Sequence, residues 1–185
     1  MAGHSKWAQI KRQKAVTDAA RGRVFAKFSR EITLESKKAG GAVTSPGLAA
    51  VIARAKAANM PKDNIERAVT KGVSKDASDV EQVVYEFYGP GSIAMVVFAL
   101  TDSRNRTTQE IKFLLTKNGF ELGTPGSASW AFTKTPDGRF VPNEPLMEVQ
   151  GEDEEKLAHM MSLLDEHDDV QLVATNALGY EGSGD

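Results

Sequence analysis

The strongest constraint on the fold lies between Val73 and Asp79, where the chain changes both its hydrophobic period and the sign of its charge. Before this stretch, apolar residues recur at the spacing of helices, and after it they form short runs typical of strands. Residues 1–75 hold 16 Lys or Arg against 5 Asp or Glu, whereas residues 76–185 hold 7 against 20. The sequence therefore predicts a basic helical domain over residues 1–75, followed by an acidic domain built around a β-sheet.

The basic half is predicted to form three helices. The first runs from about Asp18 to Ala39 and ends at Gly40, because glycine readily takes the left-handed conformation that closes a helix. A second, alanine-rich helix follows Pro46. The third begins near Pro61, since proline is well tolerated in a first helical turn. Together the three helices predict a compact all-α unit, or one that leans on a neighbouring domain.

The acidic half alternates strands with helices. Its strands are predicted at Val83–Tyr88, Ile93–Leu100, Ala128–Thr133, Leu146–Val149 and Val170–Ala174. One helix is predicted to be capped by Thr107 or Thr108, and a second helix to begin at Glu152. From the second strand onward the order is strand, helix, strand, strand, helix, strand, which is the split βαβ arrangement with both helices on one face. The predicted fold class is α+β: an N-terminal three-helix domain, then a ferredoxin-like domain over residues 80–177 with an extra hairpin strand. Residues 178–185 are expected to form a flexible tail.

Positive charge is concentrated near the N-terminus. Between Met1 and Lys38 there are ten Lys or Arg and three Asp or Glu. On a helical projection Arg23, Lys27 and Arg30 lie on one side, and the apolar residues of the same helix lie opposite. A solvated surface helix usually mixes both signs at i,i+4, whereas this stripe contains no acid. The stripe is therefore predicted to face a polyanion, with simple solvation of an outer helix face as the alternative.

Two further features extend this predicted surface. Trp7 lies in a lysine-rich segment, and a ring among cations suits stacked bases and phosphates. The alternative for Trp7 is a hydrophobic pin that folds back on the helical domain. Arg104 and Arg106 precede the helix predicted at Thr107, where guanidinium groups and helix N–H groups together favour a phosphate. The alternative for these arginines is a loop braced by hydrogen bonds to carbonyls.

The predicted nucleic-acid contacts are all cationic apart from one aromatic ring: Lys6, Trp7, Lys11, Arg12, Lys14, Arg21, Arg23, Lys27, Arg30, Arg104 and Arg106. The sequence shows no zinc finger or basic zipper, and its alanine-rich helices lack a side-chain set for reading the major groove. Contacts to the backbone of duplex DNA or of structured RNA are therefore expected, with a slight preference for RNA.

The residues give catalysis little support. The chain has no cysteine, and its histidines, His4, His159 and His167, lack a further ligand in metal-site register. No phosphate loop, dinucleotide fingerprint or nucleophile elbow is present in the sequence. We therefore expect a non-enzymatic protein without metal, cofactor or small-molecule substrate. Because no signal peptide or apolar stretch of membrane-spanning length is visible, the protein is expected to be cytoplasmic.

The chain resembles the YebC family in four runs that occur in one order: AGHSKWAQIKRQKAVTDAARGRVF, AKAANMPKDNIERAVTKG, TDSRNRT and NGFELGTPGSASWAF. The closing DDVQLVATNA is similar to the C-terminal strand of that family. Its bacterial members are usually labelled transcriptional regulators, and its mitochondrial member is a translational activator. The resemblance implies a regulator of gene expression that binds DNA, or a translation factor that associates with ribosomal RNA.

This chain departs from the family in its length. Family members are typically several dozen residues longer, and the missing block falls at residues 140–145. The resemblance implies that this block forms a separate inserted domain, so its absence should leave the flanking strands free to complete one sheet. The chain thus resembles a two-domain short form, with a defective remnant as the alternative.

A third class of function stays open at this point. The acidic domain could act as an adaptor that binds a protein partner, or a second copy of the chain, on the uncovered face of its sheet. Function that survives reversal of the charges at Arg23, Lys27 and Arg30 would favour this adaptor. The sequence does not determine the oligomeric state.

Overall fold

The computed structural model describes residues 6–14, 17–75, 79–135 and 139–182. Within these ranges, helices precede a sheet-containing domain, which confirms the predicted α+β class. The N-terminal helices are α1 (Lys6–Lys14), α2 (Asp18–Ala39), α3 (Pro46–Ala57) and α4 (Lys62–Val73). The last three match the predicted helices, and α1 is an additional one. No helix in the described ranges is both long and apolar enough to cross a membrane.

The central element of the helical domain is α2, against which α3 and α4 pack. The side-chain oxygen of Thr17 caps its N-terminus by accepting the backbone N–H of Ala20 at 3.2 Å. Its C-terminus ends at Gly40 in the left-handed conformation, as predicted. α4 approaches so closely that a Cβ at Gly72 would lie 2.5 Å from the carbonyl oxygen of Thr33. Glycine at this position therefore permits the contact between the two helices.

The second domain is organised around one buried strand. Its elements are β1 (Glu81–Tyr88), β2 (Ala94–Thr101), α5 (Arg104–Lys117), β3 (Phe132–Lys134), β4 (Phe140–Pro142), α6 (Gly151–Asp165) and β5 (Val170–Thr175). In the described ranges, β2 is the middle strand of a three-stranded antiparallel sheet with the order β1-β2-β5. Seven of its eight residues are buried, as expected for a nearly continuous apolar run.

Both α5 and α6 pack on one face of this sheet, as predicted. Ile111 of α5 and Leu157 and Met161 of α6 are fully buried in one cluster with Phe87 and Met95 of the sheet. Complete burial of such a side chain stabilises a fold by about 1.5–3 kcal/mol. This cluster is the main core of the second domain.

The sheet differs from the predicted one in its membership. β3 and β4 form a separate two-stranded sheet, and the predicted strand Leu146–Val149 is reduced to a bridge between Met147 and Ala177. β2 has β1 along one edge and β5 along the other, so neither β3 nor β4 pairs with it directly. The expectation that the strands flanking residues 140–145 complete one sheet is therefore wrong.

The second face of the sheet is partly covered. Ala94, Val96 and Ala174 pack there against Ala128 and Phe132, in the segment that leads into β3. This cover reduces the free sheet face on which the adaptor alternative depends.

One buried carboxylate organises the segment before β3. Glu86 of β1 accepts backbone N–H groups from Gly126 at 2.9 Å, from Ala128 at 2.9 Å and from Ser129 at 2.7 Å. Burial disfavours the ionised carboxyl, but these donors outweigh it, so the pKa of Glu86 lies below its ordinary value. The run NGFELGTPGSASWAF is thereby tied to the sheet.

The two ends of the described chain meet on the second domain. The backbone N–H of Trp7 in α1 donates to the carbonyl of Gly179 at 3.2 Å. Tyr180 is buried, and its hydroxyl donates to Glu154 at 3.0 Å. Burial, together with Glu154, raises the pKa of Tyr180 to about 12. Residues 178–182 are thus part of the folded domain, contrary to the expected flexible tail, whereas residues 183–185 lie outside the described ranges.

Candidate nucleic-acid interface

Trp7 lies in the core of the second domain, away from the basic surface. Its side chain is 3% exposed and belongs to the cluster that contains Phe87 and Leu157. A ring with no exposed face has no room for a stacked base, so the prediction that Trp7 contacts nucleic acid is corrected here. The structure agrees with the alternative of a hydrophobic pin, although the pin enters the second domain and not the helical one.

The basic side of α2 faces the C-terminal end of α6. The Lys27 ammonium donates to the Asp165 backbone carbonyl at 2.8 Å and to the Asp165 carboxylate at 2.9 Å. Lys11 Nζ lies 3.5 Å from the same carboxylate. Burial lowers the pKa of Lys27, although Asp165 favours its charged form. Burial opposes ionisation of Asp165 as well, but the two lysines outweigh it and the pKa of Asp165 is lowered.

Asp169 forms a second centre of ion pairing and is 1% exposed. Its carboxylate accepts the Thr107 hydroxyl at 2.6 Å and Arg106 Nη2 at 2.8 Å, and Arg30 Nη2 lies 2.8 Å from its other oxygen. Burial penalises the charged carboxylate, but Thr107 and the two arginines outweigh it, so the pKa of Asp169 is lowered. The hydrogen bond to Asp169 raises the pKa of Arg106. Side chains from α2, α5 and the turn before β5 thus meet at one buried acid.

Arg104 and Arg106 lie in the first turn of α5, because this helix begins before the predicted cap, Thr107. Ser103 occupies the N-cap position, and the hydroxyl of Thr107, the predicted cap, is turned to Asp169 instead. Arg106 also lies 3.0 Å from Asp102. Arg106 therefore pairs with acids of its own domain, and it shares one of them, Asp169, with Arg30 of the helical domain.

The other predicted contacts fall into two groups. Those with an acidic partner form these ion pairs: Lys6 with Glu154, Arg21 with Asp18, and Arg104 with Glu81. Arg12 and Arg23 have no acidic partner within the part of the chain that the structure describes. The side chain of Lys14 lies outside that part. Arg12 and Arg23 are therefore the predicted contacts whose charge no acid among the described residues offsets.

A groove between the two domains gathers cations that the sequence analysis did not single out. It has a volume of about 470 Å³, and the polar groups along it include Ser29, Arg30, Asn64, Arg67, Lys71 and Asp102. Arg67 and Lys71 have no acidic partner among the described residues. Their i,i+4 spacing on α4 is visible in the sequence. The sequence does not show which surface this pair faces, because that depends on where the second domain docks.

Glu110, His167 and Asp169 bring potential metal ligands within 4.8 Å of one another. His167 Nδ1 accepts the backbone N–H of Asp169 at 3.2 Å, and its Nε2 lies 3.0 Å from Glu110. The Asp169 carboxylate is already paired with two arginines, Arg30 and Arg106, whose charges would repel a metal cation. We therefore assign this cluster to the ion-pair network between the domains.

Acid is expected to weaken the contact between the domains. Because the pKa values of Asp165 and Asp169 are lowered in the folded protein, the unfolded chain binds protons at a higher pH than the folded protein does. Their contribution to stability is fully present above the unfolded-state pKa of about 3.9 and is lost as the pH falls through the lower folded-state values. Urea unfolding between about pH 6 and pH 3 should show a shallower pH dependence in Asp165→Asn than in the wild type. Identical pH profiles for the two proteins would contradict a contribution of the Asp165 ion pairs to stability.

The fold and its ion pairs define a class of protein in which a basic helical domain is fastened to an acidic sheet domain. Two family models match this chain. The model described as TACO1/YebC protein N-terminal domain matches residues 5–75, and the model described as TACO1/YebC second and third domain matches residues 80–136. The chain belongs to the TACO1/YebC family.

Its relatives include proteins named "Probable transcriptional regulatory protein" from Francisella tularensis subsp. novicida and subsp. holarctica. Each is 51% identical over 154 residues, which cover 80% of this chain and 62% of the relative. The chain thus spans less than two thirds of the length of these curated relatives. The crystal structure of a conserved hypothetical protein from Aquifex aeolicus is similar with a TM-score of 0.77 and 29% identity, over 87% of this chain and 91% of that one.

Proposed function

We propose that this protein is a non-enzymatic regulator of gene expression that binds nucleic acid through its helical domain. The observation that carries the proposal is the excess of cations in residues 1–75, 16 against 5 acids, together with the lack of an acidic partner for several of them among the residues that the structure describes. Among the described residues, the cations without an acidic partner include Arg12, Arg23, Arg67 and Lys71. Uncompensated cations on one domain repel each other, and a bound polyanion relieves that repulsion.

Phosphates are the proposed targets of these cations, in preference to base edges. Base reading in the major groove needs several side chains presented together on one exposed helix face. On α2, the central cations Lys27 and Arg30 are instead held by Asp165 and Asp169. The affinity is therefore expected to depend weakly on base sequence and strongly on charge.

Duplex DNA and structured RNA both present closely spaced phosphates. The name "Probable transcriptional regulatory protein" carried by the relatives favours DNA and transcription. Folded RNA is recognised largely by shape and backbone, which also suits contacts without base reading. Ribosomal RNA is therefore the second candidate target.

The lack of catalysis is part of the proposal. Glu86, Asp165 and Asp169 are well-enclosed carboxylates, and each is engaged by internal donors. Their lowered pKa values keep them ionised at neutral pH, which suits ion pairing better than proton transfer at that pH.

Binding is expected to weaken steeply as the salt concentration rises. If about six cations contact phosphates, log Kobs should fall with log[salt] with a slope of about −5. Fluorescence anisotropy with a labelled DNA duplex and a labelled RNA hairpin, between about 50 and 200 mM salt, measures this slope. Replacing both Arg12 and Arg23 with alanine should make the slope shallower by about 2, because two phosphate contacts are lost.

The matched control removes two exposed lysines of α5, Lys112 and Lys117, from the acidic domain. This variant loses the same charge and is expected to keep the wild-type slope. A wild-type slope near zero with both nucleic acids would remove the electrostatic basis of the proposal.

Fractionation of a cell lysate on a sucrose gradient distinguishes the two targets. Comigration with ribosomal particles that survives DNase and is reversed by salt would indicate ribosomal RNA. Retention in a DNase-sensitive nucleoid pellet would indicate DNA.

The adaptor alternative predicts a different response. An adaptor that acts through the acidic domain would keep its function in the variant that lacks Arg12 and Arg23. Reversal of charge at Lys27 or Arg30 is unsuitable for this test, because both side chains also hold the two domains together.

A further inference from the structure

We propose that the groove between α2, α4 and the end of β2 binds the phosphodiester backbone of the nucleic acid, with Arg67 and Lys71 as its principal contacts. This inference rests on the proposed function and names its site. Arg30 is the one sequence-predicted contact that lines the groove within the described residues. The proposed binding surface thus extends from the N-terminal segment, with Arg12 and Arg23, to the junction between the domains.

The first argument is the shape of the groove. Its volume of about 470 Å³ lies within the range of ligand-binding clefts. Residues of α2 and α4 form one wall, and Val80 and Asp102, at the two ends of the β1–β2 hairpin, form the other. A ligand seated here would contact both domains.

The second argument is the charge of the lining. Arg30, Arg67 and Lys71 supply three positive charges, and Asp102 supplies one negative charge that already lies 3.0 Å from Arg106. The positive charge of Arg30 is offset by Asp169. Arg67 and Lys71 have no such offset among the described residues, so an anion is the complementary ligand.

Asp63 and Glu66 of α4 lie on the surface next to Arg67 and Lys71, but neither acid forms an ion pair with them. Arg67 Nε donates to the backbone carbonyl of Asp63 at 3.2 Å, and its Nη2 donates to the side-chain oxygen of Asn64. Glu66 lies 3.4 Å from Lys62. Two cations at i and i+4 repel each other along a helix, and this repulsion is relieved when both contact one anion.

The third argument is the chemistry of the donors. The guanidinium of Arg67 is held at one edge by Asp63 and Asn64, which leaves its remaining N–H groups for a ligand. A planar guanidinium binds two phosphate oxygens at once, and the Lys71 ammonium adds a point charge beside it. A nucleic-acid backbone carries one negative charge per nucleotide. It therefore suits a groove with two cations that lack an acidic partner among the described residues better than a single carboxylate does.

The test replaces both cations while keeping their apolar stems and helical propensity. Arg67→Gln/Lys71→Gln is expected to weaken binding of the DNA duplex or RNA hairpin about ten-fold at low salt and to make the salt slope shallower by about 2. Lys56→Gln/Lys62→Gln is the matched control, because both lysines are exposed on the helical domain and lie outside the groove. The control should bind within about two-fold of the wild type, since it loses no phosphate contact.

A second measurement separates binding from folding. Nucleic acid should raise the unfolding temperature of the wild type and of the control, and should raise that of the groove variant much less, because a ligand stabilises the state that it binds. Arg67→Lys, which keeps the charge and loses the two-pronged contact, should fall between the wild type and the double variant.

The outcomes are distinguishable. If the wild type binds with a steep salt slope and the groove variant matches the control, the groove is not the site and the proposed function stands. If the wild type binds neither nucleic acid, the proposed function fails and this inference fails with it. If the groove variant loses binding while its fold and unfolding temperature without ligand are unchanged, the site is established.

Discussion

Replacing Asp169 with alanine is expected to lower the free energy of unfolding by about 3 kcal/mol. The carboxylate is 1% exposed and contacts Arg30, Arg106 and Thr107. Its removal leaves Arg30 partly buried without its acid and leaves the Thr107 hydroxyl without one of its partners. The effect lies at the low end of the range for a broken buried ion pair, because Arg106 also pairs with Asp102 and its side chain is 45% exposed.

Urea denaturation of the wild type and the variant measures this loss. Asp168→Ala is the matched control, since Asp168 is the exposed neighbour of the same residue type. The control should change stability by no more than about 0.5 kcal/mol. A double-mutant cycle with Arg30→Ala should show strong coupling to Asp169, because the two side chains are in direct contact. Equal effects of the two aspartate replacements would contradict the assignment of Asp169 as the centre of the domain contact.

Replacing Trp7 with alanine is expected to destabilise the protein by about 3–5 kcal/mol. The ring is 3% exposed and lies in the main core of the second domain, so its loss removes apolar burial and leaves a cavity. Because α1 reaches this core through Trp7 and the half-buried Ile10, the variant should also release α1 and expose it to proteolysis.

The second tryptophan of the chain is the matched control. Trp130 is 67% exposed, and Trp130→Ala should cost much less stability than Trp7→Ala. In Trp130→Phe the fluorescence of Trp7 alone should show the short emission wavelength of a buried ring and shift to longer wavelength on unfolding. If Trp7→Ala keeps full stability and loses binding to nucleic acid, the stacking prediction for Trp7 would be restored.

Features that depend on local patterning were predictable from the sequence. The helical period of residues 1–75 and the long apolar run of β2 both appear in the structure close to where the pattern places them. The same holds for the end of α2 at Gly40, because the left-handed conformation there is a local property of the chain. The excess of cations in the helical domain is likewise a property of composition.

The partners of charged and aromatic residues were not predictable in the same way. A helical projection places Lys27 and Arg30 on one face of α2, but it does not show that Asp165 and Asp169 lie against that face. Lys27 and Asp165 are 138 residues apart in the chain. The sequence pattern around Trp7 likewise does not show which core the ring enters, because a short amphipathic segment is compatible with both an exposed and a buried ring.

The sequence by itself determined the α+β class, the helices α2 to α6 and the concentration of positive charge in the helical domain, since each follows from residue type and spacing along the chain. The tertiary structure alone decided which of those charges are offset by acids and which, like Arg67 and Lys71, are left facing a groove. It also decided that β3 and β4 form a sheet of their own, apart from the sheet that contains β2. The physical reason is that ion pairing and strand pairing depend on which surfaces come within a few ångströms of each other. The packing of the folded chain determines those distances, and spacing along the sequence does not.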